Sequence, residues 1–341
     1  MRRILLFAMV LLFTSCGSDS RDISGAGATF PLPYYNTVFK NFGNESGINV
    51  SYGGIGSGGG ISSLKDGVID FAGSDSFLTD EEMKSMGEVI HIPTCLGAVV
   101  LAYNVEGNPN LNLTGELISE IYRGTITRWN DAKIVAINPG VTLPDKEINV
   151  VFRSDGSGTT YVFTDYLSKV SKAWSESIGY GKVVNFPVGI AAKGNTGVSG
   201  IIGNTPNSIG YISSEYAFAQ RLKMASIASG DSIFIKPTVE TITKSAQVEI
   251  PDDTRTMITN STVEGAYPIS CLTWILVFKE QNYDGRTLEK SQSLVQLLRY
   301  ILSEDSQRQA ELINYAPLPA SLLQKAHKQI DKITYNGLKI Q

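Results

Sequence analysis

The chain has 341 residues, 42% of them hydrophobic and 18% charged, with 33 glycines and a formal net charge of −4. That length suits two domains of ordinary size, and this composition with a mean hydropathy of −0.01 excludes a disordered chain, a collagen and a polytopic membrane protein. The acidic balance offers no basic surface for nucleic acid. Two histidines and three widely spaced cysteines exclude both a metal-ligand spacing and a disulfide-stapled scaffold.

In chain order, Arg2 and Arg3 precede an apolar run over 4–13, followed by Thr14-Ser15-Cys16-Gly17. The run is too short to cross a bilayer as a mature helix and suits a signal-peptide core. A cysteine directly after small residues resembles a bacterial lipobox, with Phe13 where Leu is usual. On that reading 1–15 is a lipoprotein signal peptide, Cys16 is lipidated and anchors the chain to a membrane, and 16–23 is a polar tether. The alternative is an ordinary secretory signal with a chance cysteine. Either way the chain is exported, to the periplasm or cell surface. That leaves Cys95 and Cys271 as a disulfide pair or as two buried thiols, and their apolar, strand-like surroundings favour thiols.

Strand signals at 48–52, 68–72, 99–103, 149–153 and 210–213 alternate with helical patterns at 61–66 and 159–167. The tail, 288–302 and 306–312, is helical by its apolar spacing. The alternation predicts an α/β fold with helices packed on mostly parallel sheets. The polar stretch 226–262, broken by Gly and Pro, predicts surface loops.

Three glycine-rich turns carry the chemistry: Gly25-Ala-Gly-Ala-Thr-Phe-Pro, Gly53-Gly-Ile-Gly-Ser-Gly-Gly-Gly and Arg153-Ser-Asp-Gly-Ser-Gly-Thr-Thr. Each leads into a predicted helix. Glycine lets the backbone approach a ligand closely, and a helix N-terminus presents free N–H groups at a positive dipole end, so an acidic protein can still bind an anion. The G-x-G-x-x-G at Gly54, Gly56 and Gly59 lacks the later acid of a dinucleotide site, and no Lys-Ser/Thr follows for a Walker loop. No G-x-S-x-G surrounds Ser57, Ser157 or Ser199, and His91 and His327 lie far from the turns in sequence, which argues against a nucleophilic hydrolase.

Arg153 is the one cation within these turns, and two carboxylates accompany them, Asp75 and Asp155. An ionised carboxylate only accepts hydrogen bonds, so beside an anion it favours one that carries a proton, such as monohydrogen phosphate, over fully ionised sulfate. Asp75 reads equally as a helix cap or turn acid. For Asp155 the modest role is to hold the Arg153 guanidinium in position.

The ordered set of motifs identifies a family resemblance. The first turn, Gly54-Ile-Gly-Ser-x-Gly-Gly, Val68-x-Asp-Phe-x-x-Ser-Asp, Gly124-x-Ile-x-x-Trp-Asn, Arg153-x-Asp-Gly-Ser-Gly-Thr and Gly194-Asn-x-Gly-Val occur in sequence from Gly25 onward. Together they resemble the phosphate-binding subunit of the bacterial high-affinity phosphate ABC transporter. The resemblance implies a type II periplasmic-binding-protein fold, with lobe one over 24–101 and 272–341 and lobe two over 102–271. Hinge strands would cross near 99–104 and 268–278, and the lobes would close on ligand. Carried over by position, Thr29, Phe30, Ser57 and Asp75 bind from lobe one, with Asp75 accepting the phosphate proton. Arg153, Ser157, Gly158 and Thr159 bind from lobe two, and Asp155 positions Arg153.

The resemblance also implies a monomer that needs no metal or cofactor, breaks no bond, and delivers inorganic phosphate to an inner-membrane permease with its ATPase subunits. Rival readings are a receptor for another tetrahedral oxyanion such as sulfate or molybdate, a phosphate-ester hydrolase, and a surface sensor of phosphate.

Overall fold

The computed structural model describes residues 21–230 and 233–340. The expected signal peptide, Cys16 and most of the tether lie outside the described residues.

The first part of the chain forms β1 (Ile23–Gly27), α1 (Leu32–Ser46), β2 (Val50–Gly54), α2 (Ser57–Lys65), β3 (Phe71–Ser74), α3 (Asp80–Met86) and the long β4 (Val89–Asn104). Helix α1 starts at a proline-rich turn, which fixes φ where no N–H is needed. It buries Tyr34, Tyr35, Val38, Phe39 and Phe42 on one face and stops on Gly47 in the left-handed region at φ 71°. Thr79 and Glu82 close a reciprocal capping box at the start of α3.

The second part runs β5 (Asn112–Leu113), α4 (Gly115–Tyr122), α5 (Ala132–Ala136), β6 (Asn149–Arg153), α6 (Gly158–Val170), α7 (Lys172–Ser177) and β7 (Ile190–Ala192). It continues through α8 (Gly194–Asn204), β8 (Ser208–Ser213), α9 (Ser214–Gln220) and β9 (Lys223–Met224). The stretch expected as loops instead holds β10 (Ser226–Ser229), β11 (Ile233–Ile235) and α10 (Val239–Ser245) before its irregular remainder. Strand β10 pairs with both β5 and β11, and Thr238 caps α10, so local pairing and capping organise a polar segment that lacks a long apolar run. The chain returns through β12 (Ser270–Phe278), α11 (Leu288–Ile301), α12 (Glu304–Leu312), α13 (Ala320–Ile330) and the small pair β13 (Thr334–Tyr335) and β14 (Leu338–Lys339).

One sheet orders these strands β2-β1-β3-β12-β4-β8-β6-β7, with β9 also on β4. Its flanks are parallel, β1 with β2 and β3, and β6 with β7 and β8. Its middle is antiparallel, which corrects the expectation of mostly parallel pairing: β12 runs against both β3 and β4, and β4 against β8. Strand β4 changes partner midway. Val89 to Ala98 pair with β12, and Val99 to Asn104 pair with β8.

The partner change falls between Ala98 and Val99, and β12 stays with the first part, paired with β3 and with the 89–98 half of β4. The segment 250–258 belongs with the first part by its contacts. Thr254 donates to the His91 carbonyl at 3.1 Å and accepts from the Trp274 indole at 3.2 Å, Arg255 reaches Asp80 at 2.7 Å, and Lys325 donates to the Ile250 carbonyl at 2.7 Å. Cys95 and Cys271 are buried free thiols, in line with the favoured alternative. His91 is a satisfied core histidine: its Nε2 accepts from the Leu78 N–H at 3.0 Å, and burial pulls its pKa down to about 4.

Candidate functional site

Parallel strands end on the same edge of each flank, so the turns after β1, β2 and β6 converge, each running into a helix. Two of them meet backbone to backbone: the Gly58 N–H donates to the Gly156 carbonyl at 2.8 Å. Glycine is obligatory at this contact. Gly56 sits at φ +89°, and a Cβ there would fall 2.3 Å from Asp155 Oδ2. A Cβ on Gly158 would fall 2.5 Å from Ser57 Oγ and 2.8 Å from Asp75 Cβ.

Around this contact the polar groups are buried. Ser57 Oγ accepts from the Gly158 N–H at 3.1 Å and from the Asp75 N–H at 3.4 Å. Ser157 is the N-cap of α6 and accepts from the Thr160 N–H at 3.0 Å, which leaves its own hydroxyl proton free to donate. Among the described residues, the backbone N–H groups of Thr29, Phe30, Ser57 and Thr159 have no hydrogen-bond partner, although all four residues are buried. Such unpaired donors at helix starts and tight turns are what an anion requires.

Arg153 ends β6 with its side chain 1% exposed. Its Nε and Nη2 donate to the two Asp155 oxygens at 2.8 and 2.5 Å, and its Nη1 donates to Thr159 Oγ1 at 3.3 Å. A guanidinium has five N–H donors, so two remain for a ligand. Asp155 is itself held by the Gly194 N–H at 3.0 Å. Burial would raise the Asp155 carboxyl, but the hydrogen bonds and charge of Arg153 outweigh it and hold the group below its ordinary pKa. Asp155 is therefore ionised and serves as the fork that orients Arg153.

Asp75 follows β3 and is 1% exposed. Thr273, from the crossing strand β12, donates to its Oδ1 at 2.9 Å, while Oδ2 is buried without a partner. Burial pushes the Asp75 pKa up to about 7, against the opposing pull of the Thr273 hydrogen bond and the Arg153 charge. The arrangement is thus a set of convergent donors with one buried acceptor oxygen among them. Chemically it fits a small oxyanion that brings a proton of its own.

The structure brings together Thr29, Phe30, Ser57, Asp75, Arg153, Asp155, Ser157, Gly158 and Thr159 around these three turns; Cys16 lies outside the described residues. The Phe30 ring covers Gly97, where a Cβ would lie 2.5 Å away, and the Phe30 carbonyl accepts from Tyr315 at 2.6 Å. Four neighbours escaped the sequence reading. Thr273 supports Asp75, and Tyr211 Oη accepts from the Arg153 N–H at 3.1 Å. Asn195 joins Thr29 to Thr159, and Glu215 is a buried carboxyl raised to about 8 by burial, against the pull of the Ser213 and Ser214 hydroxyls. Only Asn195 carried a signal, its place in the Gly194-Asn-x-Gly-Val motif.

The fold and its donor-lined, buried anion site define a solute-binding protein, and comparison with known proteins agrees. A family model described as a PBP superfamily domain matches residues 14–305. The phosphate-binding protein PstS of Xylella fastidiosa strain Temecula1 is 36% identical over 313 residues, covering 90% of this chain and 84% of that protein. PstS of Pasteurella multocida is 33% identical over 333 residues, covering 96% and 95%. Among solved structures, a high affinity periplasmic phosphate-binding protein, PfluDING, bound with phosphate, aligns with a TM-score of 0.75 at 21% identity, covering 94% of this chain and 96% of that one. An ABC-type phosphate transport receptor from Vibrio cholerae aligns with a TM-score of 0.57 at 22% identity, covering 87% and 100%; both structures speak to the fold. The chain belongs to the PBP superfamily and, within it, to the family of the phosphate-binding protein PstS.

Proposed function

We propose that this protein binds inorganic phosphate between two lobes outside the inner membrane and hands it to an ABC permease, with no chemistry on the ligand. The observation that carries the reading is the unpartnered Asp75 Oδ2, buried beside the Arg153 fork and the α6 N-terminus. A carboxylate in that position repels a fully ionised tetrahedral anion and accepts from one that retains a proton. Thr29, Phe30, Ser57 and Asp75 form the wall from lobe one. Arg153, Ser157, Gly158 and Thr159 form the wall from lobe two, with Asp155 positioning Arg153. The lobes meet where β4 changes partner, and 250–258 moves with lobe one.

The lipobox-like Cys16 supports an exported chain held to a membrane by a lipid, and on this reading the chain acts as a monomer. The name of one solved neighbour, an ABC-type phosphate transport receptor, supports a permease partner, and the reading includes its ATPase subunits. The curated relatives are named for binding, which supports a non-enzymatic role, and among the described residues neither histidine hydrogen-bonds a residue of the proposed site. Titration of phosphate-stripped protein with phosphate and then sulfate near pH 8 tests the reading. Tight phosphate binding with negligible sulfate binding supports it. Comparable binding of both leaves an oxyanion receptor without proton recognition, and binding of neither overturns the assignment.

A further inference from the structure

Asn195 is fully buried at the start of α8, and every polar atom of its side chain is engaged. Its Oδ1 accepts from the Ser213 N–H at 3.0 Å. A backbone N–H can only donate, so this bond fixes which end of the amide faces β8 and turns Nδ2 toward the site. From there Nδ2 donates to Thr29 Oγ1 at 3.0 Å and to Thr159 Oγ1 at 3.2 Å, one threonine on each wall. The Asn195 backbone N–H also donates to Thr29 Oγ1, at 3.1 Å. Thr159 Oγ1 takes a second bond from Arg153 Nη1, at 3.3 Å.

The count of lone pairs then decides the matter. A hydroxyl has one O–H and two acceptor positions. Thr29 Oγ1 accepts twice from Asn195, and Thr159 Oγ1 accepts once from Asn195 and once from Arg153, so both oxygens are saturated as acceptors. Each hydroxyl proton must therefore point elsewhere. Among the described residues neither hydroxyl donates to a protein acceptor.

We infer that Asn195 is a positioning residue that sets the hydroxyls of Thr29 and Thr159 as donors toward the bound oxyanion. This rests on the phosphate-binding reading above. An amide serves because it donates two protons from one nitrogen while its oxygen is locked away on Ser213. A carboxylate at 195 would reverse the polarity, drawing both hydroxyl protons to itself and adding a like charge near the anion. Asn195 also bridges the walls, so both hydroxyls become oriented together as the lobes meet.

The test is a double-mutant cycle read by phosphate titration. Asn195→Ala should weaken phosphate binding by about 10- to 100-fold, the scale of hydrogen bonds to a charged group. Thr159→Val should cost a similar factor in the natural protein but less than about threefold in the Asn195→Ala background. Asn195→Asp should bind phosphate more weakly than Asn195→Ala. A purely structural role for Asn195 lowers stability without producing that coupling. Independent, multiplying losses in the cycle would overturn the inference, and so would an Asp variant that binds as well as the Ala variant. If the natural protein binds no phosphate, the functional reading itself fails. Neutron diffraction of the deuterated natural protein then judges the hydroxyls directly: Thr29 or Thr159 deuterons directed at Asn195 overturn the inference, and deuterons directed away from it into the site uphold it.

Discussion

The two walls of the site are built alike and charged oppositely. In the first, Tyr35, Phe39, Tyr52 and Phe71 pack together beneath the turn, with Tyr35 and Phe39 stacked at 4.9 Å, and Tyr52 donates to the Ala28 carbonyl at 2.9 Å. In the second, Tyr122, Phe163, Phe186 and Tyr211 do the same, with Phe163 and Tyr211 stacked at 4.3 Å, and Tyr211 holds the Arg153 N–H. Each aromatic cluster thus braces a strand end through one phenol, and each strand end leads into a glycine turn. What differs is the side chain delivered. The first wall brings an acceptor, Asp75, raised to about 7 by burial despite Thr273 and Arg153. The second brings a cation, Arg153, fixed by an ionised Asp155. On the proposed reading, the scaffold makes a cleft for a small anion, and the asymmetry of charge selects an anion with a proton to give.

The largest effect should come from removing the acceptor. A site with a buried group that demands a hydrogen bond can reject an analogue lacking it by on the order of 10⁴–10⁵. Asp75→Asn keeps the shape but adds an N–H that can serve sulfate, so most of the preference for phosphate over sulfate should vanish at pH 8. Unchanged selectivity in paired titrations would remove proton recognition from the first wall. The natural protein carries a milder version of the same experiment. Below about pH 7 a growing fraction of Asp75 is protonated and can donate, so sulfate affinity should rise from pH 8 to pH 5.5.

Removing the cation should come next. Arg153→Ala leaves the anion without its charged partner in a buried site, at a cost of on the order of 2–5 kcal/mol by analogy with buried charge pairs. Calorimetry should record the loss, and a change under about tenfold, or 1.4 kcal/mol, would mean that the second wall works through backbone donors alone. Arg153→Lys should recover little of the loss, because an ammonium cannot bond both Asp155 oxygens as a fork and still face the ligand.

The buried carboxyls also make stability depend on pH in an unusual direction. Burial raises Asp75 to about 7 and Glu215 to about 8, the latter opposed by the Ser213 and Ser214 hydroxyls. Between the unfolded and folded values the native state binds more protons than the unfolded chain. Stability from these groups is therefore fully present below about pH 4 and is lost as pH rises through about 7 and 8. Ligand-free protein should unfold at lower denaturant at pH 8 than at pH 5, by an amount of order 1–4 kcal/mol. Asp75→Asn and Glu215→Gln should each flatten the profile. Buried His91, lowered to about 4, works the other way between about pH 4 and 6.5, so the carboxyl contribution is read as the difference between the natural protein and the two variants. Unchanged profiles in both variants would show both carboxyls to be ionised in the fold.

Much of this comparison is legible in the sequence, and the missing parts share a cause. The glycine turns announce themselves because tight backbone approach leaves few residue choices, and Arg153 and Asp155 lie two positions apart on one of them. The parallel flanks follow from alternating strands and helices. The antiparallel middle does not, because an apolar run such as Ser270–Phe278 fixes a strand and not its direction. Thr273 reaches Asp75 from 198 residues away, so nothing local marks it as part of the site. Glu215 follows Ser213 and Ser214 at the start of α9, where it reads as an ordinary first-turn acid, and only packing buries it. The order within 226–262 escaped for a similar reason, since its short strands are paired by a partner, β5, more than a hundred residues earlier.

The smallest predicted effect separates closure from ligand recognition. Glu82 Oε2 is held by the Thr79 N–H, and its Oε1 accepts from Lys182 across the two walls at 2.8 Å. The Lys182 carbonyl accepts from the Ser157 N–H at 2.9 Å, so this ion pair sits one backbone bond from the cap of α6. Its side chains are 17% and 35% exposed, which limits the pair to at most about 1 kcal/mol. Lys182→Ala should weaken phosphate binding less than about fivefold and lose its effect at high salt. In the proposed closing motion the pair forms only when the walls meet, so the change should appear in the dissociation rate and leave association nearly unaltered. A loss as large as that of Arg153→Ala would reverse the argument: holding the walls together, and not the opposed charges they carry, would then be the main source of affinity.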